Sequence, residues 1–255
     1  MPQFASYPSL AGRPVFVSGG GSGIGASIVE HFAEQGAKVG FVDIDEAASV
    51  ALVDKIKGAG HPAPLFAKAD VRDLPAYQAT IDGMAGKLGA FKVLVNNAAR
   101  DDRHTIDQVT PAFWDERIAV NLRHQYFAIQ SVVPGMKKAG GGSIINFSSV
   151  SYHAMTPQLS VYQAAKAAVI GMTRGLARDL GPDNIRLNSL TPGWIMTQRQ
   201  IDLWLTPQAE AALMVAQCLK EKVYPPDIAR MVLWLAADDS RLVTAQNFVV
   251  DGGRM

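Results

Sequence analysis

Between residues 14 and 35 the chain runs from a short apolar stretch, Pro14-Val-Phe-Val-Ser18, through Gly19-Gly-Gly-Ser-Gly23-Ile-Gly25 and into helix-forming residues from Ala26 to Gln35. A buried strand, a glycine turn and a helix in that order restrict the fold more than any other segment. Glycines let the backbone approach a pyrophosphate, and the helix N-terminus offers free N–H groups and a partial positive charge. The spacing is Gly19-x3-Gly23-x-Gly25 rather than G-x-G-x-x-G. A flexible strand-to-helix loop would have the same composition, so the rest of the chain must decide.

The next apolar run, Lys38-Val-Gly-Phe-Val-Asp43, ends in a carboxylate 24 residues after Gly19. An acid there can accept hydrogen bonds from adenosine ribose hydroxyls and would repel a 2′-phosphate. Neither Ser22 nor Ile44 is basic, so the expected cofactor is NAD rather than NADP. Asp43 also reads as a helix N-cap or a solvated strand end, because Asp45-Glu46 could open the following helix.

Apolar strands and amphipathic helices then alternate without linker or repeat. Strands are expected near 14–18, 38–43, 63–69, 92–96, 143–148, 184–190 and 246–250, and helices near 24–35, 45–58, 73–88, 111–139, 160–180, 207–220 and 226–237. This pattern predicts an α/β fold, a Rossmann-type doubly wound parallel sheet covered on both faces. One domain should span 1–255, with a cofactor half at 1–150 and a catalytic helix and substrate lid at 151–255. Ligands of such sheets bind beyond the strand carboxyl ends. Ser18, Asp43, Asp70, Asn96 and Ser149 all fall there.

With 255 residues and 48% hydrophobic content the chain can bury one large core. A net charge of +1 without a basic run gives no footprint for nucleic acid or a membrane surface. The lone Cys218 excludes an internal disulfide and a multi-cysteine metal site. The opening Met-Pro-Gln-Phe-Ala-Ser has no basic region leading into an apolar one, so a cytoplasmic protein is expected.

Tyr162 and Lys166 stand four apart in a helix-forming run, on one helix face, with Ser149 thirteen residues before the tyrosine. An unperturbed phenol titrates near ~10, so acting as a base near pH 7 requires ~4 kcal/mol of help. A cation ~4 Å away at an effective dielectric of ~20 would supply about that much. Ser149 would be a pre-placed donor to the substrate oxygen. By itself a Tyr-x3-Lys pair is more often an exposed helix face.

Taken together the chain resembles the classical short-chain dehydrogenase/reductases from end to end. The resemblance rests on the glycine pattern, Asp70-Val71, Asn96-Asn97-Ala98, Asn121 in Val-Asn-Leu, Ser149, Tyr162, Lys166 and Pro192-Gly193-x-Ile195-x-Thr197. It implies a nicotinamide cofactor and a catalytic tetrad of Asn121, Ser149, Tyr162 and Lys166. Tyr162 would be the acid/base, Ser149 would position substrate, Lys166 would bind ribose and acidify Tyr162, and Asn121 would support a water-linked proton relay. Gly19, Ser22, Gly23, Ile24 and Gly25 would cradle the cofactor, Asp43 would meet its ribose, Asp70 its adenine with Val71 beside it. Asn96, Asn97 and Ala98 would line it, and Pro192, Gly193, Ile195 and Thr197 would close over the nicotinamide. A homotetramer formed through 111–139, 160–180 and 246–255 is likewise implied.

Two departures stand out: Ser18 for the usual Thr, which keeps a hydroxyl, and Ala99 for the usual Gly, which adds a methyl beside the nicotinamide path. Three segments resemble a narrower group, the NAD-dependent aldose 1-dehydrogenases of D-xylose type: Arg100-Asp-Asp-Arg-His104, Trp114 through His124, and Ala216-Gln-Cys-Leu-Lys220. The expected substrate is therefore a free sugar, with Asp102, His104, His153 and Trp194 beside Ser149 as candidate contacts. A solvated, ion-paired rim would explain residues 100–104 equally well. Trp114, Met231, Leu233 and Trp234 are expected in the core, and the segment after Pro192 as a lid in which Trp194 or Trp204 stacks on substrate. No metal is expected, since Tyr162 and Lys166 do the work of a Lewis acid. Polyol oxidation, a 3-oxoacyl or steroid reductase, and a turnover-free nucleotide sensor remain as alternatives.

Overall fold

The computed structural model describes residues 4–255, so the first three residues of the opening segment read for a leader lie outside it. Seven strands form one parallel sheet: β1 Pro14–Ser18, β2 Lys38–Asp43, β3 Leu65–Lys68, β4 Val93–Asn96, β5 Gly142–Phe147, β6 Ile185–Pro192 and β7 Asn247–Val250, in the order β3-β2-β1-β4-β5-β6-β7. Alternate side chains of each strand point to opposite faces. On β1, Val15 and Val17 therefore join one core with α1 (Gly23–Glu34) and α9 (Pro225–Ala236), while Phe16 joins the other. That second core holds Tyr77 and Ile81 of α3 (Leu74–Leu88) and Ile129 and Val132 of α5 (His124–Lys138). The strand order reverses between β1 and β4, which opens a crevice at their carboxyl ends.

Four expectations change. The helix read over 111–139 is two, α4 (Pro111–Ile118) and α5, joined by a π-helical segment at Ala119–Arg123 that contains Asn121. Such widened turns recur at functional sites because they re-aim a side chain. The segment after Pro192, expected as a lid, contains a helix that was not expected, α7 (Gln198–Trp204), capped by Thr197, whose hydroxyl accepts the Gln200 N–H at 3.3 Å. The next helix, α8 (Pro207–Ala216), stops short of 220. Gln217 turns to extended backbone there, and Cys218 and Leu219 donate to the carbonyls of Gly253 and Gly252. Trp114 is 45% exposed on α4 rather than in the core, while Met231, Leu233 and Trp234 pack as expected. The remaining helices are α2 (Glu46–Gly58) and α6 (Ser160–Leu180).

Candidate active site

A cleft of about 800 Å³ opens over the switch point. Its floor is the glycine turn. Gly19 and Gly23 have φ of +67° and +55°, and a Cβ on Gly25 would lie 1.8 Å from the Gly19 carbonyl oxygen, so side chains are excluded there. Ser22, the N-cap of α1, makes no side-chain capping bond, which leaves the first N–H groups facing the cleft. Ile24 lines the same floor. Ser18 keeps the job expected of its hydroxyl: Oγ accepts the Asn97 and Ala98 N–H groups at 3.1 and 3.2 Å, tying β1 to the loop after β4.

Asp43 lines the cleft where β2 ends. Its carboxylate accepts the Gly21 N–H at 2.8 Å and the Asp45 N–H at 2.9 Å, which pins it. Asp45, not Asp43, caps α2. Asp70 and Val71 line the cleft beside it. The Arg72 guanidinium grips Asp70 at 2.5 Å and holds its carboxyl below the usual carboxylate range. Asn97, Ala98, Pro192, Gly193, Ile195 and Thr197 also line the cleft. Asn96 does not. It is fully buried, and its amide donates to Asn146 at 2.9 Å, inside the sheet.

Ser149, Tyr162 and Lys166 meet at the inner end. Ser149 follows β5, and Tyr162 and Lys166 share the inward face of α6. The expected acidification of Tyr162 by Lys166 is not in this geometry. The ammonium donates to the Phe147 carbonyl at 2.9 Å and lies 5.6 Å from the phenol ring centre. Burial, then the Asp101 carboxylate, raise the phenol above its ordinary value, against the Ser149 hydroxyl and the Arg103 and Arg199 guanidiniums. Burial pushes Lys166 down to about 7, with Asp101 acting the other way.

An unfolded lysine titrates near ~10.4, so between pH ~7 and ~10 the unfolded chain holds a proton that folded Lys166 has lost. Below that window both states are protonated and the folded protein carries the full penalty of a buried cation. Stability contributed at this residue therefore rises with pH across the window. The urea midpoint of the cofactor-free protein should climb between about pH 7 and pH 9, and Lys166→Met should start higher at pH 7 and climb less. Equal slopes for the two proteins would contradict this account.

Asn121 is fully buried and outside the cleft wall. Its carboxamide pairs with the Arg100 backbone, accepting at 2.9 Å and donating at 3.0 Å, which anchors the loop after β4. Of the candidate sugar contacts, Ser149, Trp194 and Trp204 line the cleft, and Asp102, His104 and His153 do not. Asp102 turns to Arg117 at 2.5 Å and Arg100 at 3.1 Å. His104 is buried behind the loop, and His153 is exposed, its ring tilted against Tyr152 with centroids 4.1 Å apart. Within loop 100–104 the cleft is lined by Arg100, Arg103 and the carboxylate-bearing Asp101. Its carboxylate pairs with Arg199 and accepts from Gln200 Nε2 at 3.0 Å, while Gln200 Oε1 accepts the Trp194 indole N–H at 2.9 Å. Arg103 lies 4.8 Å above the Trp204 ring, so Trp204 meets a guanidinium across the mouth. Loop 100–104 and the segment after Pro192 are thus tied together at the cleft mouth.

Alternating charges run from Asp70 to the lid: Arg72 bridges Asp70 and Glu116, Glu116 pairs with Arg117, Arg117 with Asp102, and Asp102 reaches Arg199 at 3.6 Å. Exposed pairs contribute little, but Arg117 is buried and needs its partners. Among the described residues no helix is long and apolar enough to cross a membrane, and no cluster of His, Cys, Asp or Glu could hold a metal ion.

A glycine-floored nucleotide cleft ending in Ser, Tyr and Lys on a seven-stranded parallel sheet defines a dinucleotide-dependent oxidoreductase, and a family model described as Enoyl-(Acyl carrier protein) reductase matches residues 19–254. The chain belongs to the short-chain dehydrogenase/reductase family. It is 49% identical over 98% of its length to a probable galactose dehydrogenase, GalD, of Rhizobium meliloti, covering 97% of that protein. It is 48% identical over 98% of its length to D-xylose 1-dehydrogenase of Caulobacter vibrioides, covering 98% of it. Among solved structures, a 3-oxoacyl-[acyl-carrier protein] reductase of Brucella melitensis with bound NAD superposes with a TM-score of 0.89 at 31% identity, over 100% of this chain and 98% of that one.

Proposed function

We propose that the protein is an NAD-dependent aldose 1-dehydrogenase, oxidising a free pentose or hexose at the anomeric carbon to the aldonolactone. The near-full-length likeness to two sugar dehydrogenases carries the reading. The glycine floor, the unpartnered start of α1 and the pinned Asp43 suit NAD, and the Arg72 guanidinium beside Asp70 is occupied by Asp70 and Glu116. Bound NAD would supply the hydride acceptor.

The chain's own residues handle the oxygen and its proton. Ser149 holds the anomeric hydroxyl, and Tyr162 as phenolate removes its proton. Lys166, fixed on the Phe147 carbonyl, would hold the cofactor ribose. Asn121 keeps the π segment and the loop after β4 in register beside them. The lid excludes water through the Asp101 clamp. Asp101 and Trp194 replace Asp102, His104 and His153 as the best-placed sugar contacts.

NADH formation at 340 nm with a panel of aldoses and matching polyols tests this reading. Turnover of a free aldose with NAD is expected, and turnover of polyols alone would overturn the sugar assignment. Asp101→Asn should also weaken sugar binding and move the rising limb of kcat against pH to lower pH. The neighbouring carboxylate is among the groups that raise Tyr162, and removing it eases formation of the phenolate. A limb that stays put or moves to higher pH would remove Asp101 from the electrostatics of the base. The same reading assigns a cytoplasmic homotetramer, with the exposed Ala164, Ala167, Ala168 and Gly171 of α6 and the edge strand β7 as its contact faces.

A further inference from the structure

The helix that carries Tyr162 and Lys166 has no cap of its own. Its N-cap residue is Leu159, whose side chain cannot accept a hydrogen bond, so the first-turn N–H groups need acceptors from elsewhere. One comes from the loop after β4. Nε2 of His104 lies 3.3 Å from the Val161 nitrogen and 3.2 Å from Ser160 Oγ. Val161 immediately precedes Tyr162.

The partners fix the tautomer. A backbone N–H can only donate, so Nε2 must be unprotonated to receive Val161. Nδ1 lies 3.1 Å from the Asp102 carbonyl oxygen, which can only accept, so Nδ1 carries the proton. The ring is 4% exposed, rests 5.0 Å from the Phe113 ring, and its own backbone N–H donates to Gln158 at 2.9 Å. Asp102 is in turn held by the buried Arg117. Any buried imidazole needs partners for its ring nitrogens, and here they belong to two different elements, the Asp102 carbonyl in the loop and the Val161 N–H in the first turn of α6. Here the ring is a strut between the clamped loop and the start of the catalytic helix.

We propose that His104 is a positioning residue for Tyr162: as the Nδ1–H tautomer it caps α6 through Nε2 and holds the turn from which the phenol projects. The catalytic consequence rests on Tyr162 being the acid–base group; the cap itself does not.

Three variants test it: His104→Phe keeps a ring against Phe113 but no acceptor, His104→Gln places an amide oxygen near the Nε2 position, and His104→Met matches that length without an acceptor. Hydrogen exchange at the Val161 amide should quicken by about fivefold or more in His104→Phe, the equivalent of ~1 kcal/mol for a lost cap. With a sugar that the wild type oxidises, kcat should fall by about tenfold or more, as expected for a displaced catalytic group. NADH binding, read by its fluorescence, should be unchanged, and His104→Gln should restore slow exchange and most of kcat. Unchanged Val161 exchange in the Phe variant, or a Gln variant as impaired as Phe, would overturn the proposal. If the Phe variant does not fold, Met against Gln makes the same comparison, and equal behaviour of those two overturns it. Should the wild type oxidise no sugar, that failure belongs to the substrate reading, and the exchange measurement still decides whether His104 caps α6.

Discussion

Tyr162→Phe is expected to lose turnover by on the order of 10³-fold or more, within the range that a positioned acid–base group contributes, while NADH binding survives. The change deletes one oxygen from a ring held on the inner wall of the cleft, so packing and the helix remain. In the proposed mechanism what disappears is the group that takes the anomeric proton. Burial and Asp101 make the neutral phenol the resting form, with Ser149 and the two clamp guanidiniums opposing them. The phenolate thus forms only as these influences are overcome at the moment of reaction. Cofactor affinity should be spared, because the glycine floor, Asp43 and the start of α1 lie at the other end of the cleft. Two measurements suffice: steady-state kcat with the best aldose, and NADH fluorescence titration. Substantial residual turnover in Tyr162→Phe would refute the mechanism, and joint loss of binding and turnover would point to collapse of the site.

The parts of this molecule that were legible in the sequence are those governed by short-range rules. The glycine turn is visible because a side chain at Gly25 would strike the Gly19 carbonyl, which restricts what evolution can place there. The strands are visible because residues such as Val15 and Val17 must face one core and Phe16 the other. The π segment is different: it is a change of hydrogen-bond partner within a helical run, and Ala119 to Arg123 carry no compositional mark of it. Helix α7 did leave a signal, since Thr197 stands three residues before Gln200 and Thr206-Pro207 opens the next helix. Reading that stretch as lid alone overlooked its caps. Loop 100–104 was the least legible, because neither alternation nor periodicity tells which of Asp101 and Asp102 faces the cleft. That choice is made by Arg117, a buried cation fifteen residues away that draws Asp102 outward and leaves Asp101 to the lid. His104 is placed by the same contact, which makes it a strut rather than a ligand.

Converting Asp43 to Ser together with Ile44 to Arg should reverse the cofactor preference, moving the NADP-to-NAD ratio of kcat/KM by on the order of 10³-fold. A dianionic phosphate about 5 Å from a carboxylate, at an effective dielectric between ~20 and ~80, is opposed by several kcal/mol, or roughly 10²-fold even after screening. An arginine at position 44 adds paired hydrogen bonds to the phosphate, contributing about another factor of ten. Ile44 is the right site because it is 59% exposed and lines the cleft directly after Asp43. Arg72 alone cannot do this, since Asp70 and Glu116 already hold its guanidinium. There is a structural penalty to separate from the electrostatic one. Asp43 accepts the Gly21 and Asp45 N–H groups, and charge-assisted bonds of that kind contribute about 1.5–3 kcal/mol each. The double variant should therefore melt earlier and lose part of its activity with NAD, while activity with NADP rises in absolute terms. That absolute rise is the decisive observable, because a merely loosened glycine turn would weaken both cofactors together. A wild type that already prefers NADP would mean that the pinned carboxylate does not set the choice, and the cofactor assignment would fall with it.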